Sequence, residues 1–366
     1  MIYLDAGATS LRKPKAVARA VAWAMEHCAN PGRGGYREAM TASRVIFETR
    51  EKAANLFDCH PEQVVFTSNC THGLNIAIRS LVKPGDRVVI SGFEHNAVTR
   101  PLHALGAEVI VAGRKLFDWE NTLEEFARAL AHNPQAAVFT HVSNVFGYIL
   151  PVEAMAAMCR ERGIPFLVDA AQSAGSIPVS LRKLGAEFIA MPGHKGLLGP
   201  QGTGVLLCAG ESVPLICGGT GSESLRQDMP EFLPDRLEAG TVNVPGIAGL
   251  GAGLDHILRT GPERIGRREH LLASRCAEEL EKIGFRVFRG SHQAATVSFL
   301  PERDCQEAAE YLARQGIALR AGLHCAPLAH ENAGTLETGT LRASFGYGVM
   351  DRELERFLYS AKAMKK

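Results

Sequence analysis

Lys195 stands in the run Met191-Pro192-Gly193-His194-Lys195-Gly196-Leu197-Leu198-Gly199-Pro200-Gln201-Gly202, downstream of an apolar stretch, Ile164 to Val168, that ends in Asp169. An amine in a glycine-rich turn and a carboxylate at a strand end form the pair that pyridoxal phosphate requires. The amine makes a Schiff base with the cofactor aldehyde, and the carboxylate pairs with the pyridinium nitrogen so that the ring accepts electrons from a substrate carbon. Three further segments carry suitable groups directly after apolar runs. Ser68-Asn69-Cys70-Thr71-His72-Gly73 follows Val64–Thr67 and leads into a helical pattern, offering free N–H groups and the positive end of a helix dipole to a phosphate. His95 in Ser91-Gly92-Phe93-Glu94-His95-Asn96 can stack on a flat ring or move a proton. Asp169-Ala170-Ala171-Gln172-Ser173 adds small residues that admit a ring and an amide that can bond a phenolic oxygen. Each has a plainer reading as well: Asn69, Thr71 and Asp169 are common helix caps, and a lone histidine after a strand is often only a loop residue.

Positioning these groups calls for a sheet whose strands all end on one side. Short apolar runs at Val64–Thr67, Arg87–Ser91, Glu108–Ala112, Ala137–His141, Pro165–Asp169, Phe188–Met191 and Gly204–Leu207 alternate with helical stretches such as Thr71–Leu81, Thr122–Ala131 and Val152–Arg162. That alternation predicts an α/β fold with a mainly parallel, seven-stranded sheet covered on both faces, and ligands bind beyond the carboxyl ends of such strands. The pattern changes near Pro245. A long helical segment from Ala248 to Ile283, a strand at Ala295–Phe299 and helices at Cys305–Gln315 and Met350–Ala363 read as a smaller α+β domain. The division expected is residues 15–247 for the large domain, and 1–14 with 248–366 for the small one.

Composition narrows the partners. The chain has 366 residues, 46% hydrophobic and 22% charged, and a net charge of +1, so it can bury a large core but lacks the basic excess of a nucleic-acid binder. No apolar stretch is long enough for a membrane span, and Met1-Ile2-Tyr3-Leu4-Asp5-Ala6-Gly7 does not resemble a secretory signal. The nine cysteines form no regular framework, which points to a reducing cytoplasm. Cys28, Cys59 and Cys325 each adjoin a histidine, but neither Cys-x-x-Cys nor His-x-x-x-His accompanies them, so no metal site is expected. The glycines of Gly246–Gly253 follow no strand and read as helix-packing glycines, not as a dinucleotide fingerprint.

Taken together and in order, these segments resemble the class V aminotransferase family of fold type I pyridoxal-phosphate enzymes, in its cysteine desulfurase and selenocysteine lyase branch. The likeness covers nearly the whole chain. It begins at Tyr3-Leu4-Asp5-Ala6-Gly7-Ala8-Thr9, passes through His141-Val142-Ser143-Asn144-Val145-Phe146-Gly147 and the Gly193-His194-Lys195 turn, and includes Glu238-Ala239-Gly240-Thr241-Val242-Asn243 and Leu341-Arg342-Ala343-Ser344. The resemblance implies that Lys195 carries the cofactor, Asp169 pairs with its ring nitrogen, Gln172 bonds its O3′ and His95 stacks on its face, while Cys70, Thr71 and His194 hold the phosphate. It implies that Asn144 and Arg342 grip a substrate carboxylate, with Arg33 lining the same entrance. It also implies a homodimer in which Thr241 reaches the partner's phosphate site.

Arg320-Ala321-Gly322-Leu323-His324-Cys325-Ala326-Pro327 resembles the short-loop, group II pattern around the thiol that receives sulfur. On that likeness Cys325 is the nucleophile that leaves L-alanine and a persulfide, with Lys195 as the base. Arg320 and His324 are the groups that favour its thiolate. L-selenocysteine is the alternative substrate, and a sulfur or selenium acceptor protein the implied partner. The chain departs from the family pattern at Leu323 and Gly32, where histidines are usual, at Pro192, where a serine often stands, and at Cys70, where a threonine is common. Two other readings remain open on sequence: a transaminase, epimerase or other lyase of the same fold, and a sulfur-relay module without cofactor chemistry.

Overall fold

The computed structural model describes residues 1–32 and 34–365. In chain order, the first half holds β1 (Ile2–Tyr3), α1 (Lys15–His27), α2 (Arg37–Phe57), β2 (Val64–Thr67), α3 (Cys70–Leu81), β3 (Arg87–Ser91), α4 (Asn96–Ala104), β4 (Glu108–Ala112), α5 (Trp119–Leu130), β5 (Ala136–Thr140), α6 (Val152–Glu161) and β6 (Phe166–Asp169). The second half holds α7 (Leu181–Leu184), β7 (Phe188–Pro192), β8 (Gly204–Cys208), α8 (Val244–Thr260), α9 (Pro262–Ile283), β9 (Arg286–Phe288), β10 (Thr296–Leu300), α10 (Cys305–Arg314), β11 (Ile317–Ala318), β12 (Arg320–Gly322), α11 (Pro327–Ala333), β13 (Thr340–Ser344) and α12 (Asp351–Met364).

Seven strands form the large sheet in the order β2-β8-β7-β6-β5-β3-β4. Strand β8 runs antiparallel to both neighbours and the other pairs are parallel, so the fold is the expected α/β architecture. Its strands read as unbroken apolar runs because both faces are covered. Val89, Phe139, Val168 and Ile189 pack into one core with α2, α5, α6 and α8, while Val88, Val138, Leu167 and Phe188 pack into a second with α3 and α4. A third core lies around the four-stranded sheet β12-β13-β10-β9, where Leu272, Val297, Leu312, Leu341 and Phe357 meet Ile2 and Leu4.

The single helix expected from Ala248 to Ile283 is two helices. Gly261 has φ 86°, outside the helical range, and Pro262 opens α9 without an N–H for the preceding turn. Glycines let α8 pack closely: a Cβ on Gly253 would meet the Leu197 carbonyl, and one on Gly251 the Thr49 hydroxyl. Helices α1 and α2, which the alternating pattern does not pick out, pack against α8.

Two backbones touch beside Lys195. A Cβ on Gly196 would collide with the Ala174 carbonyl oxygen, and one on Gly175, at φ +95°, with the carbonyl oxygen of Gly196. Gly175→Ala should therefore lower stability by about 3 kcal/mol, combining left-handed backbone cost with overpacking. Urea unfolding of the variant against wild type measures it.

Candidate active site

The carboxyl ends of β2, β3, β5, β6 and β7 open into a cavity of about 240 Å³ lined by Cys70, Thr71, His95, Asn144, Asp169, Gln172, His194 and Lys195, among others. The sequence-predicted groups thus converge from turns far apart in the chain. Thr140 and Asp169 lie side by side at the ends of β5 and β6. Asp169 is 3% exposed, and its Oδ1 accepts the Ala171 N–H at 2.9 Å and lies 3.6 Å from Cys70 Sγ. Asn69 caps α3 by accepting from the His72 N–H, and Asn69, Cys70 and Thr71 at the start of that helix line the cavity.

Lys195 lies in the turn joining β7 to β8. Burial lowers its pKa, with Asp169 opposing, and among the described residues its Nζ has no hydrogen-bond or ion-pair partner. Burial also lowers the pKa of His95, whose Nδ1 accepts the Ala97 N–H at 3.0 Å and so leaves Nε2 as the donor nitrogen of the neutral ring. His194 is brought down to about 4 by burial, with Lys195 and Lys13 adding to it, and its Nδ1 lies 3.0 Å from Thr9 Oγ1. Gln172 gives one Nε2 hydrogen to the Gly7 carbonyl at 3.0 Å.

The neighbouring wall is arginine-rich. Arg342, 2% exposed, donates from Nη1 to the Asn144 carbonyl and from Nη2 to Asp5 Oδ1, each at 2.9 Å, while its buried Nε has no partner among the described residues. Arg320 grips the same Asp5 through Nε and Nη2. Asn144 gives one N–H to the His324 carbonyl at 2.7 Å, and its buried Oδ1 has no partner among the described residues. His324 and Cys325 are both left-handed, at φ 50° and 57°, and the Asn96 N–H donates to the Cys325 carbonyl at 2.7 Å. An exposed thiol is therefore held on a sharp turn that is tied to both the His95 and the Asn144 segments.

Residues 2–357 match the family model for class-V aminotransferases. The chain belongs to that family. Similar curated relatives are the probable cysteine desulfurases of Methanothermobacter thermautotrophicus, 34% identical with 97% of this chain and 92% of that protein covered, and of Pyrococcus abyssi, 34% identical with 98% and 92% covered. A solved apo structure of the cysteine desulfurase from Thermococcus onnurineus superposes with a TM-score of 0.91 at 33% identity, covering 100% of this chain and 94% of that one. The family is dependent on pyridoxal phosphate, and the residues here fit that group: an amine whose pKa burial lowers, a buried carboxylate and a helix N-terminus lining the same cavity, and two buried polar atoms, Arg342 Nε and Asn144 Oδ1, without a partner among the described residues.

The structure revises one detail of the sequence reading. His324 cannot support a thiolate as a cation: burial, with Arg342 and His330 adding to it, drives its pKa to about 2, and its Nε2 lies 3.2 Å from both Thr340 O and Oγ1. Arg320 is the cation within electrostatic reach of Cys325. Thr241 is exposed and lines a separate cavity with Phe66, Ser68, His72 and Ile216, outside the one that contains Lys195 of the same chain. Arg33 lies outside the described residues.

Sequence reasoning missed Glu269, which lies with Lys195, Gln172 and Tyr347 around a cavity of about 50 Å³ and is pushed up to about 8 by burial. It also gave Asp5 no role, although the residue stands in a quoted motif. Asp5 is the anion between two arginines. Asp5→Ala should cost about 3–5 kcal/mol, because it leaves the buried Arg342 guanidinium uncompensated, with Asp5→Asn intermediate. Chemical denaturation of the three proteins at one pH checks the ranking.

Proposed function

We propose that the chain is a pyridoxal-phosphate-dependent cysteine desulfurase that converts L-cysteine to L-alanine and takes the sulfur onto Cys325 as a persulfide. The observation that carries this reading is the Cys325 turn. It presents an exposed thiol while its backbone is fixed by Asn96 and Asn144, next to the cavity that holds Lys195 and Asp169. A transaminase has no use for a thiol held there. The names of the relatives and of the solved neighbour support the same assignment.

Bound pyridoxal phosphate supplies an electron sink for the pair left on the substrate Cα. Lys195 is its attachment point and, with a pKa lowered by burial, the base that takes the Cα proton. Asp169 would pair with the ring nitrogen, Gln172 would have its second N–H for O3′, His95 would stack on the ring, and the α3 N-terminus at Cys70 and Thr71 would hold the phosphate together with His194. Arg342 offers its free Nε–H, and Asn144 its second N–H, to the substrate carboxylate. Arg33 is assigned to the same entrance. The Cys325 thiolate, with Arg320 nearby, then bonds to the substrate Sγ as the Cβ–Sγ bond breaks. The electron pair leaves with Cβ, and a proton completes the methyl group of alanine.

The same reading makes the enzyme a homodimer. Thr241 is exposed and lines a cavity other than the one that contains Lys195 of its own chain, and the loop before it exposes Ile216 and Phe232 and leaves Leu225 99% accessible, an apolar surface suited to a second copy. A sulfur acceptor then meets Cys325 from solvent. Nine unpaired cysteines support a reducing, cytoplasmic setting, and no described helix is long and apolar enough to cross a membrane.

Lys195→Ala should lose cofactor absorbance and lower turnover by roughly 10⁴-fold or more. Cys325→Ala should retain the absorbance, lose alanine formation from L-cysteine, and retain it from L-selenocysteine, whose selenium departs without a thiol acceptor. Alanine release from each substrate, with wild type beside both variants, is the assay. Undiminished alanine from L-cysteine in Cys325→Ala would remove the persulfide step.

A further inference from the structure

Glu94 is completely buried and takes no part in the chemistry assigned above. Its Oε1 accepts the Ser91 hydroxyl, at the end of β3, and the Thr140 N–H, at the end of β5, the latter at 2.7 Å. Its Oε2 is buried without a partner. Ser91 Oγ also accepts the Phe93 N–H at 3.1 Å, so the carboxyl closes the Ser91–Glu94 turn on itself and fastens it to the neighbouring strand. Thr140 is paired in register with Asp169. The next residue along, His95, lines the cavity, and Asn96 holds the Cys325 carbonyl.

We infer that Glu94 is a positioning residue, which holds the His95 turn, and through Asn96 the Cys325 turn, against the strand end that bears Asp169. The inference rests on the functional reading above. Burial pushes the carboxyl up to about 8, opposed by the hydrogen bonds from Ser91 and Thr140 and reinforced by Asp169, so the group works as an uncharged acid at neutral pH. Glutamine reproduces that form: its amide oxygen accepts the same two hydrogen bonds and no charge is lost. Alanine removes both bonds and leaves the Thr140 N–H buried and unpaired. Aspartate keeps the acid but is one carbon too short to span Ser91 and Thr140.

The test compares wild type, Glu94→Gln, Glu94→Asp and Glu94→Ala by two readouts other than turnover. One is the dissociation constant for pyridoxal phosphate. The other is the rate at which iodoacetamide alkylates Cys325, followed on its peptide by mass spectrometry. Glu94→Gln is expected within about twofold of wild type in both, while Glu94→Ala weakens cofactor binding at least about tenfold and changes the alkylation rate at least about threefold. Should Glu94→Ala fail to fold, Glu94→Asp carries the same expectation in the same direction. Folded Glu94→Ala or Glu94→Asp that matches wild type in both readouts overturns the role of Glu94, and so does a Glu94→Gln that behaves like alanine. Wild type that takes up no pyridoxal phosphate overturns the functional reading as well, which separates the two failures.

Discussion

Asp5 is the interaction on which the site depends. It lies on a strap, residues 2–10, that joins three bodies of structure: β1 pairs with β11, Ser344 donates to the Leu4 carbonyl, and Ser10 bonds the backbone of both His194 and Lys195. From that strap one carboxylate reaches Arg320 on β12 and Arg342 on β13. A guanidinium as deeply buried as Arg342 is unstable without a counter-charge, so the position of Arg342 is set by a residue near the other end of the chain. The strap also fixes the turn that carries Lys195. Lys195 and Arg342 are thereby held in one frame, although they belong to the margins of different sheets.

The large sheet supplies the remaining geometry through its direction. Parallel strands β3, β5, β6 and β7 bring Ser91, Thr140, Asp169 and Pro192 to the same edge, and the turns that follow must carry polar groups because their backbones have left the ladder. The reversal at β8 makes the Lys195 segment a connection between antiparallel neighbours, packed against Gly175 and α8. That crowding explains why glycines stand at 193, 196 and 199: each Cβ would meet backbone or a rigid neighbour.

Much of this was legible in the chain. The runs at Val64–Thr67 and Phe188–Met191 were readable because every residue in them is buried, so hydrophobicity alone marks the strand. Lys195, Asp169, His95 and Cys325 were readable because their motifs resemble a known family. What was not legible depends on contacts between distant segments. Nothing local distinguishes Glu94 from a solvated glutamate, and its burial follows only from the packing of β3 beside β5. The neutrality of His324 likewise arises from its enclosure near Thr340 and His330, against which the neighbouring Cys325 gives no warning. The Gly261-Pro262 break was present in the sequence, but the apolar periodicity on either side of it concealed two helices as one.

The charge balance of the arginine wall turns on Asp5. Two guanidiniums share one Asp5 carboxylate, and the adjacent imidazole of His324 is neutral, so the constellation carries one net positive charge. A single further carboxylate beside these three groups brings them to neutrality. With Asp5 removed, the buried Arg342 and the exposed Arg320 would both lose that counter-charge, and the cost falls on Arg342, which has the least water to replace it.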